Sequence, residues 1–197
     1  MADFAKSPAM TTQRERMLSG LDYDPRDAAL VADRLRARRL THAFNQAAPD
    51  DDEARERVLA ALLGRCGARV KIEPPFHCDY GTHLHVGDDV YMNFNCVVLD
   101  CALVRIGDRV LVGPGVQILA ATHPVSVAER CTGREFARPV TIGDDVWLGA
   151  GVVVCPGVTI GAGSVIGAGS VVVGDIPAAV VAVGNPCRVL RPLAADR

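Results

Sequence analysis

The sequence predicts an all-β main domain, a parallel β-helix of hexapeptide repeats over residues 70–197, preceded by an N-terminal helical segment over residues 1–69. A large aliphatic residue, usually followed by glycine, recurs every six residues in the later part of the chain. From Gly81 onward lie 16 of the 19 glycines. Hydrophobic residues make up 49% of the chain but aromatic residues only 5%. The core must therefore be narrow and built from small aliphatic side chains.

Three helices are predicted in the N-terminal segment. Residues 11–19 form a short candidate. A second helix is predicted to open at Asp24-Pro25, with Asp24 as N-cap and Pro25 in the first helical position. A third is predicted to begin at Pro49-Asp50, because a proline and an acidic residue precede a run of helix-spaced leucines.

The second helix should bury one apolar face against the rest of the molecule. Ala28, Val31 and Leu35 recur at spacings of three and four residues. This spacing places them on one side of a helix. We therefore expect these three side chains to form the buried face.

The six-residue period is the strongest signal in the chain. Successive hexads begin at Ile142, Leu148, Val154, Ile160, Ile166 and Val172. A helix with 3.6 residues per turn cannot keep these positions on one face, whereas strands with a turn every six residues can. Fixed-period hexads predict a β-helix in which three hexads make one 18-residue coil. The first residue of each hexad is expected to point inward. The small residue after it is expected to relieve crowding at the corner, where glycine can adopt a positive φ.

One long segment, residues 118–140, interrupts the repeat. In a stacked-coil protein an insertion leaves the stack as a loop, often on the binding face. Functional residues are common on loops held by a rigid scaffold. This loop is therefore the first place to look for chemistry, and a C-terminal tail completes the domain.

Composition argues against several classes of protein. The formal net charge is −2, so bulk electrostatics would not attract nucleic acid or an anionic membrane. Residues 146–174 carry no charge, but their glycines and fixed spacing do not fit a membrane span. Seven cysteines without a CxxC pair indicate reduced thiols in a reducing compartment. The N-terminus has no apolar core of a signal peptide, so we expect a cytoplasmic protein.

Several strings outside and within the hexads identify a family: MLSGLDYDP (17–25), EPPFHCDYG (73–81), YMNFN (91–95), THPV (122–125), IGDDVWLGAGVVVCPGVTIG (142–161) and GNPCRVLR (184–191). They resemble the maltose/galactoside O-acetyltransferase branch of the hexapeptide-repeat acyltransferases, a group that includes nodulation sugar acetyltransferases. The resemblance implies a left-handed β-helix, a homotrimer, acetyl-CoA as donor and a sugar hydroxyl as acceptor.

His123, in THPV, matches the catalytic histidine of the family. A hydroxyl is a poor nucleophile unless its proton is removed as the new bond forms. Histidine suits that role at neutral pH because its ordinary pKa is about 6.5. The expected reaction is direct transfer of the acetyl group, without an acetyl-enzyme. Glu135, in the same loop, is a candidate for orienting the imidazole.

The acceptor is expected to meet Asn93, Asp79, Asp24 and Trp147. Asn93 can orient a sugar hydroxyl or hold the oxyanion, and the carboxylate of Asp79 can accept from paired hydroxyls. Asp24 either binds acceptor or caps a helix. Trp147 either walls the acceptor site or seals a trimer interface. Cys101 departs from the second acid of an Asp-Asp pair in galactoside enzymes, which argues against a galactoside as substrate.

For the donor, Ala150 and Ala168 match small positions that let the pantetheine arm lie against the coil. Arg188 and Arg191 match C-terminal basic residues that meet the nucleotide end, and arginine suits phosphate. The dipeptide Val173-Gly174 stands where Thr-Lys is often found, so one phosphate contact is expected to be missing.

No metal site is expected. His77, His83 and His85 cluster ahead of the first regular hexad, as a zinc site of the hexapeptide-repeat carbonic anhydrase type would require. That site also needs a close pair of histidines beside the distal one, and His123 has no such neighbour in the sequence. Two other readings stay open. The acceptor could be a non-sugar such as an antibiotic, or the chain could be a non-catalytic hexapeptide scaffold.

Overall fold

In the computed structural model, which describes residues 12–193, three helices precede a stack of short strands. These three are α1 (Gln13–Leu18), α2 (Ala28–Gln46) and α3 (Asp52–Leu62). A fourth helix, α4 (Val127–Arg130), lies within the long loop. In chain order the strands are β1 (Arg65–Cys66), β2 (Lys71–Ile72), β3 (Phe76–Cys78), β4 (Leu84–Val86), β5 (Tyr91–Met92), β6 (Cys96–Leu99), β7 (Val104–Ile106), β8 (Leu111–Val112), β9 (Gln117–Leu119), β10 (Ala121–Thr122), β11 (Phe136–Ala137), β12 (Val140–Ile142), β13 (Trp147–Leu148), β14 (Val153–Val154), β15 (Thr159–Ile160), β16 (Val165–Ile166), β17 (Val171–Val172), β18 (Val180–Gly184) and β19 (Cys187–Pro192).

The strands form three parallel sheets, which are the three faces of a prism. Face 1 holds β1, β4, β7, β12 and β15, and face 3 holds β3, β6, β9, β14 and β17. Face 2 holds β2, β5, β8, β13, β16 and β18, and it ends with β19, which pairs antiparallel to β18. Because each strand pairs with one in the next coil, the predicted parallel β-helix is confirmed.

The coils are not all of the predicted length. The later coils repeat after 18 residues, as Thr141 opposite Thr159 shows. The first two repeat after 20 residues, and the step across the insertion is 36 residues. The first strand, β1, already pairs with β4, so the change from helix to coil falls between residues 62 and 65.

The first residue of each hexad points inward, as predicted. Ile142, Leu148, Val154 and the three hexad starts after them are at most 1% exposed. Burying each such side chain stabilises the fold by about 1.5–3 kcal/mol relative to leaving it exposed. The stack of these side chains is the aliphatic core that the aromatic-poor composition requires.

The glycine at the second hexad position relieves crowding, as predicted, but it does so without a positive φ. Gly143 and Gly149 do not have positive φ; instead, a Cβ on either would lie 2.6 Å from a backbone nitrogen of the next coil. The coils approach too closely there for a side chain. Positive φ falls two residues later in the hexad, at Gly151 and at Asp145 with φ of 66° and 59°. Gly, Asn and Asp tolerate that conformation best.

The second helix begins later than predicted. Asp27 is the N-cap of α2, and its Oδ1 accepts from the backbone N–H of Ala29 at 3.0 Å and Leu30 at 3.3 Å. Asp24 instead accepts from the backbone N–H and Nε of Arg26, so it does not cap this helix. The third helix likewise begins after its cap at Asp51.

The predicted buried face of α2 was also wrong. Val31 and Leu35 are 45% and 46% exposed. The buried side chains include Leu30 and Phe44, on the side that covers the first coil. Asn45 of the same helix pairs with β3, because its amide bonds both the N–H and the carbonyl of Phe76. The helical segment therefore caps one end of the coil stack. Residues 1–11 and 194–197, including the predicted start of the first helix, lie outside the described range.

All seven cysteines are free thiols. Within residues 12–193, the helices are too short or too polar to cross a lipid bilayer. The cytoplasmic location inferred from the thiols stays a prediction.

Candidate active site

His123 lies in the interruption of the repeat, as expected. The chain leaves the stack after β9, forms β10, passes through α4 and returns as β11, which pairs antiparallel with β10. His123 directly follows β10 and is exposed, whereas Pro124 is buried. The short two-stranded pairing therefore fixes the backbone at the point where the imidazole projects.

The imidazole faces a cleft of about 540 Å³. Besides His123 and Pro124, the cleft is lined by Gly20, Thr122, Val125, Phe136, Arg138 and Pro156. The N-terminal segment, the loop and a corner of the fourth coil thus contribute to it. A guanidinium, an aromatic ring and an imidazole in one open cleft can hold a polar organic molecule. The repeat pattern gave no signal for Arg138 and Phe136, which lie where the loop returns to the stack.

Glu135 directly precedes Phe136 of this cleft, and its hydrogen bonds are made with Tyr23. Its carboxylate Oε2 accepts from the Tyr23 hydroxyl at 2.7 Å. Its backbone N–H and carbonyl both bond the backbone of Tyr23, each at 3.0 Å. Glu135 therefore ties the loop to the N-terminal segment, and none of these bonds supports a direct role in orienting His123.

Asn93 lies at the corner between faces 2 and 3, directly after β5. Its Oδ1 accepts from the backbone N–H of Phe94 at 2.7 Å. The oxygen is thus used locally, and the NH₂ group is the part that can donate to a substrate oxygen. Asn95 has a φ of 62°, so it makes the turn at this corner.

The small residues Ala150 and Ala168 stack one above the other at the same corner, and both are exposed. The N–H of Gly169 bonds the carbonyl of Ala150 at 2.8 Å, and the N–H of Gly151 bonds that of Pro114 at 2.8 Å. The corner therefore presents a column of short side chains along the coil axis, a surface against which a slender chain can lie.

Asp79 lies at a different corner of the prism, the one between faces 3 and 1, directly after β3. Its Oδ2 accepts from the Cys101 thiol at 3.3 Å. Burial raises the pKa of Cys101, and the nearby Asp79 carboxylate raises it further. The thiol therefore stays protonated and can donate.

Asp100, next to Cys101, is fully buried and supports this turn. Its carboxylate accepts from the backbone N–H groups of Asp79, Tyr80 and His83 at 3.1, 2.8 and 3.2 Å. Burial raises its pKa, whereas the backbone hydrogen bonds act in the opposite direction. The geometry thus assigns Asp100 to positioning Asp79.

The remaining predicted residues lie apart from the His123 cleft. Asp24 is tied to Arg26, whose hydrogen bonds lower the pKa of that carboxyl. Trp147 is 54% exposed on face 2, between Leu111 and Val165 of the neighbouring coils. Its strand leads directly into the corner that carries Ala150.

Arg188 and Arg191 lie on β19 at the far end of face 2, and both are exposed. The hairpin of β18 and β19 turns near the top of the alanine column, where the Gly184 N–H bonds the Ser170 hydroxyl at 3.0 Å. Arg188 lies next to this turn, opposite Val183, whereas Arg191 lies further along β19, opposite Val181.

The three clustered histidines do not converge. His77 is exposed on β3, and His83 Nδ1 contacts the Asp100 carbonyl at 2.8 Å. His85 lies on face 1, where burial, Arg105 and Arg65 lower its pKa. Across residues 12–193, no group of three or more His, Cys, Asp or Glu side chains is arranged to hold a metal ion.

In one chain, the predicted residues form two separate groups. His123 and Asp79 belong to the corner between faces 3 and 1. Asn93, Ala150 and Ala168 belong to the corner between faces 2 and 3. A single chain thus does not join the histidine to the alanine column.

Comparison with known proteins identifies the family. Residues 16–67 match the maltose acetyltransferase hexapeptide capping motif, and residues 139–174 match six repeats of the bacterial transferase hexapeptide. Nodulation protein L of Rhizobium meliloti is 46% identical over 178 residues, covering 90% of this chain and 97% of that protein.

Two solved structures agree with this result. A maltose O-acetyltransferase from Clostridium difficile 630 superposes with a TM-score of 0.92 at 46% identity, covering 93% of this chain and 98% of that one. A galactoside acetyltransferase in complex with coenzyme A gives a TM-score of 0.91 at 41% identity, covering 93% and 92%. The chain belongs to the maltose and galactoside O-acetyltransferase family of hexapeptide-repeat acetyltransferases.

Proposed function

We propose that this protein transfers an acetyl group from acetyl-CoA to a hydroxyl of a sugar, with a maltose- or glucoside-type acceptor. The observation that carries the proposal is the exposed imidazole of His123 in a cleft of about 540 Å³, on the loop that leaves the coil stack. The relatives named as maltose and galactoside acetyltransferases, and the coenzyme A bound in one of them, support the reaction class.

In the proposed mechanism, His123 acts as general base. Its imidazole takes the proton of the acceptor hydroxyl as the oxygen attacks the thioester carbonyl. The NH₂ group of Asn93 is suited to stabilise the oxygen of the tetrahedral intermediate. When the intermediate collapses, the C–S bond breaks and the imidazolium returns the proton to the leaving thiolate. The products are the acetyl ester and the free CoA thiol, and no cysteine of the enzyme forms a bond.

The donor is proposed to lie along the column of Ala150 and Ala168. The short side chains leave room for the pantetheine arm, and Arg188 and Arg191, on the hairpin that turns near the end of the column, are proposed to pair with phosphates. Trp147, on the adjoining face, would then either wall the acceptor site or seal the interface between subunits.

The active site is proposed to form between subunits of a homotrimer. The two groups of residues lie at different corners of one chain, and a neighbouring copy can bring the His123 corner of one subunit to the Asn93 corner of another. Asp79 lies on the His123 side and is assigned to acceptor binding. Asp24 is bound to Arg26, and we retain it only as a candidate at the edge of the acceptor site.

The test is thiol release from acetyl-CoA with a panel of glucosides, galactosides, chitooligosaccharides and hydroxylated antibiotics. We expect sugar-dependent release, and we expect His123→Ala to reduce kcat by about 10²–10⁴, as for loss of a general base. His42→Ala, at an exposed histidine of α2, is the matched control and should keep full activity.

An unchanged kcat in His123→Ala would refute the catalytic assignment. Release with an antibiotic but with no sugar would replace the proposed acceptor class. Failure of the protein to bind CoA would favour the non-catalytic scaffold.

A further inference from the structure

The N-terminal segment is joined to the His123 loop by backbone pairing. Tyr23 and Glu135 exchange two backbone hydrogen bonds of 3.0 Å, in an antiparallel bridge. Phe136, the next residue, lies opposite Thr122, which directly precedes His123. Tyr23 is therefore two strand pairings away from the histidine, although the two lie 100 positions apart in the sequence.

The side chain of Tyr23 reinforces this pairing. The residue is fully buried, and its hydroxyl donates to Glu135 Oε2 at 2.7 Å. The hydroxyl also contacts the Cys101 thiol, which donates to Asp79. Burial raises the pKa of Tyr23, so the hydroxyl keeps its proton and acts as donor. One phenol thus links the N-terminal segment, the His123 loop and the turn that carries Asp79.

Other contacts also cross this junction, namely the two backbone hydrogen bonds of Tyr23 with Glu135 and a hydrogen bond of 3.0 Å from Arg134 to the Asp22 carbonyl. An ion pair joins Arg134 of the loop to Asp22, but both side chains are about one-third exposed, and exposed ion pairs contribute little. A hydrogen bond from a buried hydroxyl to a carboxylate is stronger and more directional. Its loss would leave the Glu135 carboxylate partly unsatisfied and loosen the return strand of the loop, although the backbone pairing of Tyr23 with Glu135 remains.

We propose that Tyr23 is a positioning residue, which holds His123 in its catalytic place through the hydrogen bond from its hydroxyl to Glu135. This inference rests on the proposed function of His123. It adds a residue from outside the coil stack to the machinery of the reaction, and it links the turn near Asp79 to the loop.

The first test is Tyr23→Phe, which removes only the hydroxyl. We expect kcat to fall about tenfold while the KM for acetyl-CoA stays unchanged, because the alanine column does not contact Tyr23. A tenfold loss corresponds to about 1.4 kcal/mol. Amide hydrogen exchange over residues 121–137 should accelerate, whereas exchange over the hexads of residues 142–172 should not change.

Variants of Glu135 test the specific bond. Glu135→Gln keeps a side-chain oxygen that can accept from the Tyr23 hydroxyl, so it should retain most of the activity. Glu135→Ala should resemble Tyr23→Phe. The double variant Tyr23→Phe/Glu135→Ala should be no worse than Glu135→Ala alone, because both changes remove one interaction.

Tyr80→Phe is the matched control. Tyr80 is 1% exposed and its hydroxyl accepts from Arg34 at 2.7 Å, outside the loop. This variant should lose stability without faster exchange in residues 121–137. Unchanged exchange in that segment of Tyr23→Phe, or fully additive effects in the double variant, would overturn the inference. If His123→Ala is inactive but Tyr23→Phe has wild-type kcat, only the positioning role fails. If His123→Ala is active, the proposed function fails with it.

Discussion

Ala162 and Ala168 occupy the same place in two identical hexapeptides, IGAGSV at residues 160–165 and 166–171. Both side chains are exposed. Their backbones are also equivalent, because a Cβ on the glycine one coil earlier would lie 2.6 Å from the nitrogen of either alanine. The two alanines differ in the corner of the prism that they occupy. Ala168 belongs to the column that continues from Ala150, whereas Ala162 lies between faces 1 and 2.

This pair allows a controlled test of the proposed donor groove. Ala168→Leu should raise the dissociation constant of CoA about tenfold or more, because the added methyl groups occupy the space of the pantetheine arm. Ala162→Leu should leave the constant unchanged. Calorimetric titration with CoA measures both. Equal weakening by the two substitutions, or none by either, would contradict a groove at the Ala168 corner.

At the scale of the coil, two kinds of glycine have different functions. A Cβ on Gly149 would lie 2.6 Å from the backbone nitrogen and 2.9 Å from the Cα of Ala168. Backbone atoms of a paired coil cannot move aside cheaply. At Gly151 the added Cβ would meet nothing within 4 Å, but φ is +66°. The equivalent turn position two coils earlier is Asn95.

We predict that Gly149→Ala destabilises the fold by about 1–3 kcal/mol through overpacking. Gly151→Ala should cost about 1 kcal/mol through backbone strain alone, and Gly151→Asn should cost less than Gly151→Ala because asparagine tolerates positive φ. Urea unfolding at one fixed protein concentration compares the three. The stacking account fails if Gly149→Ala is the mildest of them.

The helices show how far local pattern can be trusted. Asp24 and Asp27 are both acidic residues just ahead of an apolar run, and the sequence does not distinguish them as caps. In the structure Arg26 binds the Asp24 carboxylate, and Asp27 is the residue that caps α2. The buried face of α2 was mistaken for a related reason. Two sets of apolar residues fit a helical period, and contact with the first coil selects the one that contains Leu30 and Phe44.

For the whole molecule, the coil stack could be predicted because its cause is local. Each hexad carries its own inward residue and its own turn, and most hexads carry a close-packed glycine. The contacts around the candidate site could not be predicted in this way. Tyr23 and Glu135 lie 112 residues apart, and neither belongs to a repeat. In the proposed site, the two corners of the prism meet through a second copy of the chain, so a single sequence pattern cannot express this meeting except through family resemblance.

The proposed arrangement of subunits makes a quantitative prediction. If His123 of one subunit works with Asn93 of its neighbour, His123→Ala and Asn93→Ala chains co-expressed at equal levels should form some sites that contain both native residues. Each site draws its histidine and its asparagine from different chains, each native half of the time. About a quarter of all sites, which is one site in each mixed trimer, should therefore be intact, with activity well above the sum of the two parents.

The control pairs His123→Ala with the double variant His123→Ala/Asn93→Ala, a mixture in which every site lacks the histidine. This mixture should gain nothing over its parents. If both mixtures stay at parental activity although mass analysis shows mixed trimers, each site is built within one chain. The His123 loop would then have to reach its own Asn93 corner across face 3. Recovery in the first mixture alone would instead show that each site takes His123 from one subunit and Asn93 from its neighbour. The enzyme would then need its oligomer for activity because the two residues lie at different corners of one chain.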